Sequence, residues 1–150
     1  MIPEFLSNSE ILELEKQLEP YGISKLDFIF IKSGKDRIRA LSPVSKKEII
    51  NLTDGIFTET LGLYFAKIDG ESIRLSIDAC HLLKEQITKK ILELDDKQFE
   101  AYMKGHEVEF KEQGEKGYFI LKHNHDLLGM AKISQGMIKN YLPKERRRKN

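Results

Sequence analysis

The most constraining feature of this chain is the frequency of turn residues in its last third. Four short runs of strand-forming residues, at 107–111, 118–123, 127–133 and 137–142, are separated by turn-rich clusters at 114–117, 124–126 and 134–136. Breaks this close together mark the runs as short strands. Just upstream, residues 87–94 read as a strand. Asp95 and Asp96 read as a helix cap, and Phe99, Tyr102 and Met103 as the buried stripe of a short helix ended by Gly105. One strand, one helix and four further strands suit a small closed or nearly closed barrel better than an open sheet.

The first 86 residues follow a different grammar. Ser7 stands three residues before Glu10, and Ile11, Leu14 and Leu18 then recur at helical spacing until Gly22, which predicts a capped amphipathic helix. Residues 28–31 and 37–41 flank Ser33-Gly34-Lys35 and read as a hairpin. A second capping-box spacing, Ser45 to Glu48, precedes Ile49, Ile50 and Leu52 and predicts a short helix ending at Asp54-Gly55. Residues 63–68 and 72–76 flank Asp69-Gly70, a dipeptide suited to a tight hairpin turn. A third helix is predicted over 78–86, with Ala79, Leu82 and Leu83 on its inner side. The fold class is therefore α+β, with a mixed α/β domain over 1–86 and a β-rich domain over 87–150.

With 150 residues and 40% hydrophobic composition the chain has enough apolar material for a core. Its single cysteine, Cys80, excludes an internal disulfide framework and a cysteine-rich zinc site, which points to a reducing compartment. The acidic N-terminus does not resemble a signal peptide, and no segment has the roughly 20 apolar residues that span a bilayer. A soluble cytoplasmic protein with no membrane association is expected. The net charge of +1 hides a pole: residues 139–150 hold six basic side chains and one acid, a local +5, whereas the remaining 19 basic and 23 acidic side chains sum to −4. Such a pole either solubilises the chain or attracts polyanions.

Several segments together resemble a known family. Met103-Lys104-Gly105-His106-Glu107-Val108, Gly117-Tyr118-Phe119-Ile120-Leu121-Lys122, Leu128-Gly129-Met130-Ala131-Lys132, Gly136, and Lys139-Asn140-Tyr141-Leu142-Pro143-Lys144 look like a PUA domain, an RNA-binding β pseudobarrel. Gly62-Leu63-Tyr64-Phe65-Ala66-Lys67 with residues 73–79 resembles the pre-PUA domain of archaeal and eukaryotic factors that mature the large ribosomal subunit. The Lys-Asn-Tyr-Leu-Pro-Lys run is also similar to the PUA-like tails of 5-methylcytosine RNA methyltransferases. The resemblance implies a ribosome biogenesis factor acting in rRNA processing, with RNA as its partner and proteins as possible partners of the N-terminal domain. The alternative is an accessory subunit that presents RNA to a modification enzyme, and a third is a protein-interaction module whose tail meets acidic proteins.

On that resemblance Gly105, beside His106, corresponds to the glycine that lets backbone approach the sugar-phosphate chain, since a residue without Cβ exposes its N–H groups. Gly105 serves equally as a helix stop. Lys122, Lys132, Lys139 and Lys144, with Arg146, Arg147 and Arg148, are suited to neutralising phosphates. If all six tail cations met single-stranded RNA, log affinity would fall against log salt with a slope of about −4. Asn140 is a candidate for reading a base edge. Tyr141 is read first as a core residue and second as a stacking platform.

Catalytic patterns are sparse. His123 and His125 stand at strand spacing, as half a metal site would, but further ligands are not evident and a turn-and-surface role is preferred. Cys80 beside His81 reads as a packed helical cysteine, because neighbours on a helix point in different directions. Glu107, Glu109 and Glu112 read as solvated. Phosphate loops, dinucleotide fingerprints and serine elbows do not occur. No cofactor and no enzymatic activity are expected.

Overall fold

A computed structural model describes residues 3–42, 62–110 and 117–149. The chain divides into two compact units, Met1–Lys89 and Lys90–Asn150. The helix predicted after Ser45, and Glu112 and Gly114, lie outside the described residues.

In the first unit, helix α1 (Asn8–Leu18) begins in a reciprocal capping box. The Ser7 N–H donates to Glu10 Oε1 at 2.9 Å, and the Glu10 N–H donates to Ser7 Oγ at 3.2 Å. Its buried residues are Leu14 and Leu18, each of which contributes roughly 1.5–3 kcal/mol by leaving water. A single 3-10 turn (Glu19–Tyr21) follows and closes at Gly22, whose φ of +94° requires glycine and whose missing Cβ would overlap Thr88 and the Gln86 carbonyl. Strands β1 (Ile29–Ser33), β2 (Arg37–Leu41), β3 (Leu63–Asp69) and β4 (Ser72–Leu75) then pair antiparallel in chain order. The outer edge of β1 is covered by the N-terminal segment: the Leu6 N–H donates to the Phe30 carbonyl and the Lys32 N–H to the Glu4 carbonyl. Phe30, Ile38, Ala40, Phe65, Ala66 and Leu75 are buried, and Phe28, Phe30 and Phe65 pack with ring centres 5.1–6.1 Å apart.

The next helix differs from its expected extent. Helix α2 runs over Ile77–Leu82, capped by Ser76, whose hydroxyl accepts from the Ala79 N–H and donates to the Tyr64 carbonyl at 2.7 Å. The cap sets the helix phase, so Ala79, Cys80 and Leu83 are buried while Leu82, expected inside, is 50% exposed. The strand expected over 87–94 is also shorter. The Thr88 and Lys89 N–H groups donate to the Tyr21 carbonyl within the first unit, and Lys90 takes a φ of +56°. Only β5 (Ile91–Glu93) remains as strand.

The second unit curls a five-stranded sheet into a half-barrel, in the order β5-β7-β8-β9-β6. Its members are β6 (Val108–Glu109), β7 (Gly117–His123), β8 (Asp126–Ser134) and β9 (Met137–Ile138) with β5, and only the β5–β7 pair is parallel. Two-residue turns join the hairpins, with positive φ at Asn124 and at both Gln135 and Gly136. Helix α3 (Asp96–Met103) starts in a second reciprocal box between Asp95 and Gln98, and Gln98 also reaches the Glu109 carbonyl of β6 at 3.2 Å. The helix thus stands beside both outer strands, and a cleft lined by Leu94, Gln98, Ala101, Val108 and Phe110 opens there. Ile120, Leu121, Ala131, Ile133 and Ile138 form the fully buried centre. The architecture is α+β with a C-terminal β pseudobarrel, as the turn spacing requires. No described helix is long and apolar enough to cross a membrane.

Candidate nucleic-acid interface

The strand expected over 137–142 stops after Ile138 because Asn140 replaces strand pairing with side-chain bonds. Its amide nitrogen donates to the Tyr102 and His106 carbonyls, both at 2.8 Å, and its oxygen accepts from the Leu142 N–H at 3.0 Å. Both amide protons are used. Asn140 therefore ties the end of α3 to the segment after β9, and what it retains for a ligand is acceptor capacity alone.

Beyond it the chain makes a 3-10 turn (Lys144–Arg146) and folds back over the same helix end. The Arg148 N–H donates to the Met103 carbonyl at 2.7 Å, and Arg147 Nε donates to the Leu142 carbonyl at 3.1 Å. Gly105 has a φ of +93°, and a Cβ there would come within 2.8 Å of Arg147 Cδ and 3.0 Å of its Nε. The glycine thus makes room for an arginine side chain. The Arg148 guanidinium lies 5.0 Å from the Phe99 ring centre and 3.9 Å from Glu100. Gly105, His106, Asn140, Arg147 and Arg148 are consequently brought to one end of the second unit. His106 is exposed there, and Lys139, exposed on about half its side chain, pairs with Glu107 at 3.3 Å.

The other sequence candidates sit on the strands or at the surface. Lys132 is exposed, in register with Tyr118, its ammonium 6.0 Å from that ring centre. Tyr141 is half-buried with its ring centre 6.3 Å from that of Tyr118. Lys122, half-buried, stands in register with Glu93 on one side and Leu127 on the other. Lys144 and Arg146 are exposed.

His123 departs from the turn-and-surface role expected of it. Its side chain is only 12% exposed, stacked on Phe99 at 3.9 Å and 8°, with Nε2 2.8 Å from Asp96 Oδ1. It fastens α3 to β7, while His125 is exposed at the hairpin tip. Among the described residues no three His, Cys, Asp or Glu side chains gather as a metal site would need. Cys80 is fully buried, and burial pushes its thiol up to about 12, so it stays protonated at neutral pH. Phe99 as the platform for Arg148 was missed in the sequence. The signal was present in its place on the exposed rim of the helical stripe, but the tail's return was not.

Residues 89–148 match the family model described as the methyltransferase RsmF PUA domain. The match spans less than half of the chain and coincides with the second unit. That segment is thus similar to a PUA domain, and its curled half-barrel sheet is consistent with a PUA pseudobarrel. No curated protein matches the chain.

Proposed function

We propose that this chain is a non-catalytic RNA-binding protein that holds RNA through residues 90–150 and acts in ribosome biogenesis, in the maturation of rRNA. The observation that carries the RNA-binding part is the PUA match over 89–148, on a unit whose helix end gathers Gly105, His106, Asn140, Arg147 and Arg148. The exposed cations Lys132, Lys144, Arg146 and Arg148 supply attraction to phosphates. The ribosomal part rests on the likeness of residues 62–82 to a pre-PUA domain, a module open to protein partners or RNA. The dearth of catalytic groups in the sequence supports a binding role.

A second reading has a specific observation behind it. The matched model belongs to a methyltransferase, which favours an accessory subunit that presents RNA to such an enzyme.

Fluorescence anisotropy with labelled single-stranded RNA tests the RNA-binding part. The variant of choice is K132Q/K144Q/K149Q, because these three exposed lysines are not tied to the backbone as Arg147 is. Its slope of log affinity against log salt should be about 2 shallower than that of the unaltered chain. Binding of unchanged strength and slope would count against this use of the unit. Co-purification then separates the two readings: ribosomal precursor particles support the first, a stable methyltransferase complex the second.

A further inference from the structure

The first unit is not basic as a whole, since residues 1–89 hold 12 basic and 14 acidic side chains. Four of the cations nevertheless share one face of its sheet. The strand register places Arg37 opposite Lys67, and Lys67 opposite Arg74, so three cations lie in line across β2, β3 and β4. Arg39, two residues from Arg37, shares that face and stands opposite Tyr64. Like charges directly opposed in a sheet destabilise it. The acids at the margin are Asp36, 3.8 Å from Lys67, Asp69 at the end of β3 and Glu71 in the turn that follows it. Four other acids, Glu10, Glu13, Glu15 and Glu19, belong to α1 and the turn after it, away from this row in the sequence of layers.

The row is also presented rather than hidden. Arg37 is exposed, the Lys67 side chain is 36% exposed and Arg74 is half-buried. The Arg37 guanidinium rests 5.1 Å from the Tyr64 ring centre, which restrains a long side chain in place. With adjacent strands about 4.8 Å apart, the row is roughly 10 Å wide, a width from which flexible side chains reach neighbouring phosphates of one strand. A polyanion is the ligand that offsets the mutual repulsion of such a row, and multiple phosphate contacts release counterions in proportion.

We propose that the first unit carries a second RNA contact, in which Arg37, Lys67 and Arg74 hold the sugar-phosphate backbone without reading sequence. The inference rests on the reading of the chain as an RNA-binding protein.

The test uses the full chain, labelled single-stranded RNA of mixed sequence and a salt titration. R37Q/K67Q/R74Q should bind more weakly, with a slope shallower by about 2. K25Q/K84Q/K89Q, which removes the same charge from other exposed positions of the unit, should change far less. R37K/R74K, which keeps the charge, should retain binding. Should the triple glutamine variant fail to fold, the Arg37, Lys67 and Arg74 NMR signals of the unaltered chain serve instead, and they should shift on addition of RNA. Unchanged affinity and slope in a folded variant, or unshifted signals, overturn the proposal. So does a loss of binding to polyglutamate with RNA binding intact, which assigns the row to acidic proteins. An unaltered chain that binds no RNA at all overturns the RNA-binding reading along with it, and that result is distinct from a variant that merely matches its parent.

Discussion

The two units are built from similar strands and similar turns, yet they order them differently. In the first, β1 to β4 pair with their chain neighbours and the helices are capped by adjacent serines. In the second, β5 pairs with β7 and β6 with β9, so the order of strands in the sheet departs from their order in the chain. The difference teaches where stability is concentrated. The first sheet is held by two short hairpins and by the β2–β3 pairing, whose partners lie 23–30 residues apart. The second unit adds a few residues that tie its helix end to the tail, here Asn140, Gly105 and the returning arginines.

If that contrast holds, Asn140→Ala should have the largest effect. It leaves the Tyr102 and His106 carbonyls and the Leu142 N–H without their partner, at a cost of about 2–4 kcal/mol. Chemical denaturation should show the loss in signals from the second unit. A stable variant with weakened RNA binding would instead give Asn140 a direct role at a base edge and break the contrast.

Gly105→Ala comes next, at about 1–3 kcal/mol, because a φ of +93° strains an alanine and its Cβ would displace Arg147. Limited trypsin digestion should then cut sooner at Arg146–Arg148. An uncut tail would show that the arginine moves aside without releasing the strap. The first unit has a comparable tie in Gln86, which accepts from the Ser24 and Lys25 N–H groups and donates to the Lys25 carbonyl, and the smallest expected effect lies elsewhere in that unit. The Lys32 ammonium, 2.8 Å from Glu10, holds that carboxyl well below its usual range, at about 2. A carboxyl lowered on folding adds stability above its unfolded value, and the addition is lost as pH falls from about 4.5 towards 2. Both side chains are more than one-third exposed, so solvent screens most of it. Glu10→Gln, which preserves the capping box, should flatten this part of the pH–stability curve slightly. A large flattening would mean that this exposed pair ties the first unit as strongly as a buried contact does.

Much of the second unit was legible because its signals are local. The Asp95 cap, the Asn124 and Gly136 turns and the break at Gly105 each act within a few residues. The strands at its ends were overread for the converse reason. Residues 87–90 and 139–142 have strand-like composition, but the Thr88 and Lys89 N–H groups go to Tyr21 and the Leu142 N–H goes to Asn140. The interface was half legible: the cations were plain in the sequence, whereas their division into anchored and exposed ones was not.

By itself, then, the sequence determined the α+β class, the starts of the helices capped by Ser7 and Asp95, the hairpin turns and the polarity of the tail, because propensity, capping and charge act over short distances along the chain. Tertiary structure alone decided that Arg147 lies on Gly105, that Asn140 clamps backbone and that Arg37, Lys67 and Arg74 align, because register and chain return are set by which distant groups satisfy one another's hydrogen bonds and exclude water.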